Sequence, residues 1–132
     1  MREPRDVFHL AIPARDLDEA LAFYVDGLGC HLARRYPDRI TLDFFGDQVV
    51  CHLSDQVDDD PDLYHRHFGV TFRDRADFDE LVGLAGTRKL MVFRPTQLRF
   101  EGMAEEHATF VLRDPSNNLL EFKWYRDHRM MH

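Results

Sequence analysis

Polar and apolar positions alternate over residues 7–13, with Phe8, Leu10 and Ile12 on one side and Val7, His9 and Ala11 on the other. That period of two predicts a half-buried strand. The period then changes. Leu17, Ala20, Leu21, Tyr24, Val25 and Leu28 recur at three- and four-residue spacing, an apolar stripe that predicts a helix. Asp16 stands at its N-cap with Glu19 three residues on, a capping-box pattern. Gly27 and Gly29 stop it. Three short strands are expected next, at residues 30–35, 39–44 and 48–53, the last two joined by a turn at Gly46-Asp47.

The same plan then repeats. Residues 64–72 predict a strand, Asp74 a helix cap, and Phe78, Leu81, Val82 and Ala85 a buried helical stripe that Gly86 ends. Residues 90–93 predict the next strand, after which Pro95 begins an irregular passage containing Arg99-Phe100-Glu101-Gly102. A final hairpin is expected from strands at 107–113 and 119–124 around Asp114-Pro115-Ser116-Asn117-Asn118, a strong turn sequence. The order is βαβββ twice. It implies an α+β fold in one domain, residues 1–132, with module one at 1–54, an acidic linker at 55–63, module two at 64–125 and a tail at 126–132. The halves share more than their period: His9 and His67, and Arg15-Asp16 and Arg73-Asp74, are separated by one and the same interval.

Composition narrows the function. A chain of 132 residues suffices for a self-sustaining core, and 44% hydrophobic against 31% charged residues is an ordinary globular balance. The net charge of −7 and the lack of a Lys/Arg run argue against a nucleic-acid partner, which needs a basic face to displace counterions. No apolar stretch reaches membrane-spanning length, and the first residues carry no apolar signal segment. Cys30 and Cys51 form no metal or redox motif and are expected to be buried free thiols, which points to a cytoplasmic setting. The acidic run from Asp55 to Asp62 lacks the glycine and closing glutamate of a calcium loop and is expected to be a solvated loop.

Strand parity gathers the candidate chemistry. His9 lies opposite Phe8, Leu10 and Ile12; His67 lies opposite Phe68, Val70 and Phe72; Glu121 lies opposite Leu120, Phe122 and Trp124. With each apolar set packed on the helices, His9, His67 and Glu121 project to the other face. A carboxylate there is costly unless paired or coordinated. Two imidazoles and a carboxylate also form a facial ligand set for a divalent metal with open positions. His52 is either a fourth ligand or an acid/base if it faces inward with Val50, whereas overlaying the two terminal hairpins instead puts Cys51 opposite Glu121. His65 shares the face of His67 and is a second candidate acid/base. Arg99 and Tyr125 are candidate contacts for an anionic substrate at the rim, and His107, His128 and His132 are read as background.

Four segments carry a family resemblance: Phe8-His9-Leu10-Ala11, the helix from Asp16-Leu17 to Phe23-Tyr24 with Leu28-Gly29-Cys30 after it, His67-Phe68-Gly69-Val70, and Asp114-Pro115-Ser116 leading to Leu120-Glu121-Phe122-Lys123. Together they resemble the vicinal oxygen chelate superfamily, the glyoxalase/bleomycin-resistance/extradiol-dioxygenase group, and within it the small single-domain predicted extradiol-type dioxygenases. The resemblance implies two βαβββ modules forming a cup-shaped mixed sheet with helices on its convex face. It also implies a homodimer and one divalent metal on His9, His67 and Glu121. Fe(II) is favoured, with Mn(II), Ni(II) or Zn(II) possible. The implied activity is dioxygenase chemistry on a small catecholic substrate, with a glyoxalase-like lyase or isomerase, or a non-catalytic binding and resistance protein, as alternatives. Asn117 replaces the glycine usual in the family's Asp-Pro-Ser-Gly-Asn turn, a position where Asn tolerates left-handed angles. The glutamate or glutamine that glyoxalase I relatives carry on the fourth strand is here His52 or Cys51.

Overall fold

A computed structural model describes all 132 residues. The first half gives β1 (His9–Ala14), α1 (Leu17–Leu21), β2 (His31–Tyr36), β3 (Arg39–Phe44) and β4 (Asp47–Leu53). The second gives β5 (Phe68–Phe72), α2 (Arg75–Thr87), β6 (Val92–Arg99), β7 (His107–Arg113) and β8 (Leu119–Tyr125). Each half closes its own four-stranded mixed sheet, ordered β1-β4-β3-β2 and β5-β8-β7-β6. In each, the first strand runs parallel to the last and the other pairs are antiparallel. This is the expected α+β arrangement of two βαβββ units.

One hydrophobic core serves both sheets. Leu17, Ala20, Phe23 and Tyr24 from the first helix and Phe78, Leu81 and Ala85 from α2 join Ile40, Leu42, Val49, Cys51, Phe110, Leu112, Leu120 and Phe122. Fully burying side chains of this size contributes about 1.5–3 kcal/mol each. Aromatic contacts tie the halves together: Phe44 meets Phe68 at 5.6 Å and Phe45 meets Phe122 at 6.0 Å between centroids. The opposite sheet faces, bearing His9 and Glu121, take no part in this core.

Local differences from expectation have identifiable causes. Asp16 caps α1 by accepting from the amides of Asp18 and Glu19, but Glu19 pairs with Arg15 rather than completing the capping box. The helix then widens into π-helical turns over Ala22–Gly27. Asp74 occupies the N-cap position of α2 without a side-chain hydrogen bond. Phe8, expected on the helix side, precedes β1 and is 55% exposed. Residues 64–67 are not strand: a turn at 63–65 and two irregular residues precede β5, which begins at Phe68. Pro95 does not end order: β6 runs through it to Arg99 as an edge strand whose register slips between Arg94 and Gln97. An edge tolerates a proline because no ladder donor is needed there. In the tail, His128–Met131 makes a 3-10 turn capped by Asp127.

The Asp114–Asn118 turn is the chain's main stitch. Buried Asp114 accepts from the Tyr24 hydroxyl at 2.7 Å, from the Ser116 and Asn118 amides at 2.8 Å, and from Asn118 Nδ2 at 2.8 Å. Asn118 Nδ2 also donates to the Pro13 carbonyl, and Arg15 N to Ser116 Oγ. Asn117 adopts φ 64°, as its place in the turn requires. Its side-chain amide donates to the Asp58 carbonyl, so the acidic loop is anchored at this point.

Candidate metal centre

Register fixes what the open face of the second sheet presents, because residues directly opposed on neighbouring strands point the same way. Gly69 on β5 pairs with Glu121 on β8, which pairs with Val111 on β7 and through it with Arg94 on β6. The next row outward places Lys123, Thr109 and Gln97 together, and the row beyond holds Tyr125, His107 and Arg99. A cavity of about 210 Å³ lies on this face, with Glu121 and Thr109 in its floor, Arg94, Gln97 and Arg99 along one wall, and Tyr64 across from them.

The Glu121 carboxylate is only 11% exposed and is held from three sides. Thr109 Oγ1 donates to Oε1 at 2.7 Å, Lys123 Nζ lies 3.3 Å from Oε2, and His67 Nε2 lies 3.0 Å from the same oxygen. The imidazole's other nitrogen settles its tautomer. His67 Nδ1 is 2.7 Å from the Leu63 carbonyl, which can only accept, so Nδ1 carries the proton. In a neutral ring Nε2 is then a bare lone pair aimed at a carboxylate oxygen. Two acceptors at 3.0 Å repel unless a cation, either a proton or a metal ion, lies against both. The spacing suits shared coordination: donor atoms about 2.1 Å from one ion at right angles stand about 3 Å apart. A neutral imidazole whose far N–H is held by a carbonyl is also the usual form of a metal-ligating histidine.

His9 has the same preparation on the other sheet. Its Nδ1 faces Gln48 Oε1, which leaves Nε2 free, and the residue is exposed at the start of β1. No third His, Cys, Asp or Glu joins His67 and Glu121 within one chain. His9, on β1, belongs to the first sheet, whereas Glu121 lies on β8 of the second. His52 pairs in register with Pro13 and Arg39, placing it on the His9 face, exposed to solvent. Cys51, its neighbour, points into the core, where burial pushes its thiol up to about 12. Of the two parity readings for β4, the structure selects the one that puts His52 with Val50 on the His9 face and Cys51 in the core. Leu53, at the end of β4, is 50% exposed.

His65 lies in the turn before β5, beside a separate cavity of about 340 Å³ that it lines with His67, Arg66, Asp58 and Asp62. Arg99 does reach the Glu121 cavity. Tyr125 shares the face but packs on the His107 ring at 4.7 Å. His107, read as background from sequence, is buried in that stack with Nδ1 against the Glu105 carbonyl. Sequence reasoning also missed Thr109 and Lys123, although both carry the strand parity of Glu121 or its register partner. Arg94 and Gln97 carry no signal in the sequence, whose pattern predicts this strand only to residue 93.

Comparison with known proteins agrees with this architecture. The family model of the Glyoxalase/Bleomycin resistance protein/Dioxygenase superfamily matches residues 6–122, and the chain belongs to that superfamily. It is similar to a glyoxalase/bleomycin resistance protein/dioxygenase from Alicyclobacillus acidocaldarius, with 67% identity, 100% of each chain covered and a TM-score of 0.96. It shares its fold with a fosfomycin resistance protein from Listeria monocytogenes, at 13% identity over 96% of this chain and 98% of that one, TM-score 0.75. A lactoylglutathione lyase from Agrobacterium tumefaciens is similar at 22% identity over 93% and 96%, TM-score 0.69. No curated protein matches. No helix is long and apolar enough to cross a membrane.

Proposed function

We propose that this protein is a divalent-metal enzyme that chelates neighbouring oxygens of a small substrate, and that its reaction is extradiol-type cleavage of a catechol. His67 and Glu121 of one chain are two of the ligands, and His9 of a second copy is the third. The observation that carries this reading is the opposition of His67 Nε2 and Glu121 Oε2 at 3.0 Å with Nδ1 committed to a carbonyl. The assignment of His9 across a homodimer is supported by its matching free nitrogen, its exposure, and the uncovered apolar residues Val7 and Phe8 beside it.

Two imidazoles and one carboxylate favour Fe(II), though Mn(II), Ni(II) and Zn(II) accept the same donors. When bound, the metal supplies Lewis acidity toward the substrate oxygens and open positions for substrate and dioxygen. The chain's own residues do the rest. Thr109 and Lys123 fix the Glu121 carboxylate and offset its charge. Arg99 at the cavity wall binds the substrate's rim. His52, brought in with His9 on the same face, takes and returns the proton of a substrate hydroxyl, a task suited to an imidazole. His65 remains the second candidate for that role.

Oxygen consumption with catechol and Fe(II)-loaded protein is the test, together with metal analysis of untagged protein and of H67A. Catechol-dependent uptake that H67A abolishes along with its iron is the expected result. Oxygen-independent turnover of a hemithioacetal with Ni(II) or Zn(II) would move the protein to the lyases. Metal content unchanged in H67A would overturn the site itself.

A further inference from the structure

The cavity above Glu121 has a polarity that metal binding does not use. Arg94 and Arg99 on β6 stand on either side of Gln97, all three on the face and along the wall of that cavity. Neither guanidinium has a carboxylate or carbonyl partner. Each lies against a neighbouring ring, Arg94 over Phe93 at 5.4 Å and Arg99 over Phe100 at 5.5 Å. In a chain of net charge −7, two unpaired cations converge on one concave site, while Glu121 is already engaged by His67, Lys123 and Thr109. Stacking on a ring pre-orients a guanidinium and leaves its fork of N–H donors free.

Resting on the metal reading above, we propose that the substrate is an anion. A planar or tetrahedral oxyanion, a carboxylate or phosphonate attached to the chelating part of the molecule, is gripped by Arg94 and Arg99 with Gln97 as a neutral donor between them. The metal centre holds one end of the substrate and β6 the other. A rigid fork on each side gives direction as well as attraction, since Arg matches oxyanions through paired N–H bonds. The local field also draws an anion toward an otherwise acidic protein. β6 is an exposed edge strand, so changes to these side chains leave the core intact.

The test is calorimetric titration of the as-purified protein with 3,4-dihydroxybenzoate, 3,4-dihydroxyphenylphosphonate and uncharged catechol. At least one of the two anions is expected to bind about tenfold or more tighter than catechol, the range for a charge-assisted hydrogen bond. The stronger of the two identifies the oxyanion. R94Q and R99Q should each remove most of that preference and leave metal content and melting temperature unchanged, with R94K keeping part of it. The preference should persist in H67A, which keeps both arginines. No preference for either anion in metal-replete wild type, or a preference indifferent to R94Q and R99Q, would overturn the proposal while leaving the metal site standing. Normal anion preference with no metal uptake would do the reverse.

Discussion

Gly69 and Glu121 are register partners on β5 and β8, and a Cβ placed on Gly69 would run into the backbone carbonyl of Glu121. The two strands approach this closely because one has no side chain at the crossing, and His67 follows from it two residues upstream. Replacing Gly69 with alanine must push β5 away from β8, since the obstacle is backbone and does not rotate aside. Overpacking of this kind costs about 1–3 kcal/mol or more. Gly69→Ala is expected to lower the melting temperature and to weaken metal uptake together. Gly83, inside α2 with nothing near its absent Cβ, is the control: Gly83→Ala should stabilise by up to about 1 kcal/mol. Equal responses at the two positions would refute the strand-crossing account.

The proposed sharing of the site between two copies makes an unusual arithmetic prediction. His9→Ala and His67→Ala homodimers should each lack both complete ligand sets. In a mixed dimer, the His9→Ala chain offers an intact His67 and Glu121 while its partner offers an intact His9, so one site of two is whole. Co-refolded variants should therefore recover metal binding to about a quarter of the wild-type level, because statistical mixing puts about half the dimers in the mixed form. Recovery is read by metal analysis of the mixture against each parent. A trio contained within one chain predicts no recovery at all.

Much of this geometry was written in local pattern. The repeated His and Arg-Asp positions announced two similar halves, and strand parity put Glu121 on the open face because β8 packs its alternating apolar edge inward, whereas His67 reaches Glu121 from the residue before β5. The Asp16 cap and the left-handed Asn117 followed from side-chain chemistry that acts within a few residues. What stayed hidden depends on partners distant in sequence. Arg94 and Gln97 join the site only because edge strand β6 continues through Pro95, and an edge strand shows little alternation when one side is solvent and the register slips. The Tyr24–Asp114 hydrogen bond spans 90 residues, and nothing in an apolar helical stripe says that one member carries a hydroxyl to a buried turn. Parity could place His9 on an open face but could not say whether it shares a site with Glu121.

Thr109 holds Glu121 through a single hydroxyl at 2.7 Å. Valine has nearly the same shape and no donor, so Thr109→Val should leave the fold intact and free the carboxylate to rotate. Losing an orienting partner of a metal ligand typically lowers affinity about 10–100-fold. Metal titration followed by calorimetry should show that loss, with Thr109→Ser restoring most of the affinity. If Val and Ser bind metal alike, the hydroxyl does not position Glu121.

The Tyr24–Asp114 bond gives a prediction about acid. Desolvation holds the Asp114 carboxyl above the usual carboxylate range, while the Asn118, Tyr24 and Ser116 hydrogen bonds pull it back down. The native state thus takes up this proton at higher pH than the unfolded chain does, so through this group acidification favours the fold. Tyr24→Phe removes one donor from a buried carboxylate and should cost about 1–3 kcal/mol at neutral pH. The deficit should shrink as pH falls and the carboxyl is protonated, which urea unfolding of both proteins between pH 7 and 4 will show. A deficit that grows on acidification would contradict this.

At the alkaline end the thiols decide. Burial pushes Cys30 and Cys51 up to about 12, with Asp43 adding to the first and Asp114 to the second. An unfolded thiol begins to lose its proton near pH 9, while the folded one keeps it, so the native state binds more protons throughout that window. Stability contributed by each thiol is complete below about pH 9 and declines by about 1.4 kcal/mol per pH unit as the solution moves toward 12. Native protein at pH 8 should therefore fail to react with a disulfide reagent, both thiols being neutral and covered. Urea midpoints should be level from pH 7 to about 8.5 and fall beyond it, less steeply in Cys30→Ala. Rapid labelling of the folded protein at pH 8 would place at least one sulfur outside the core to which Tyr24 and Leu42 assign it.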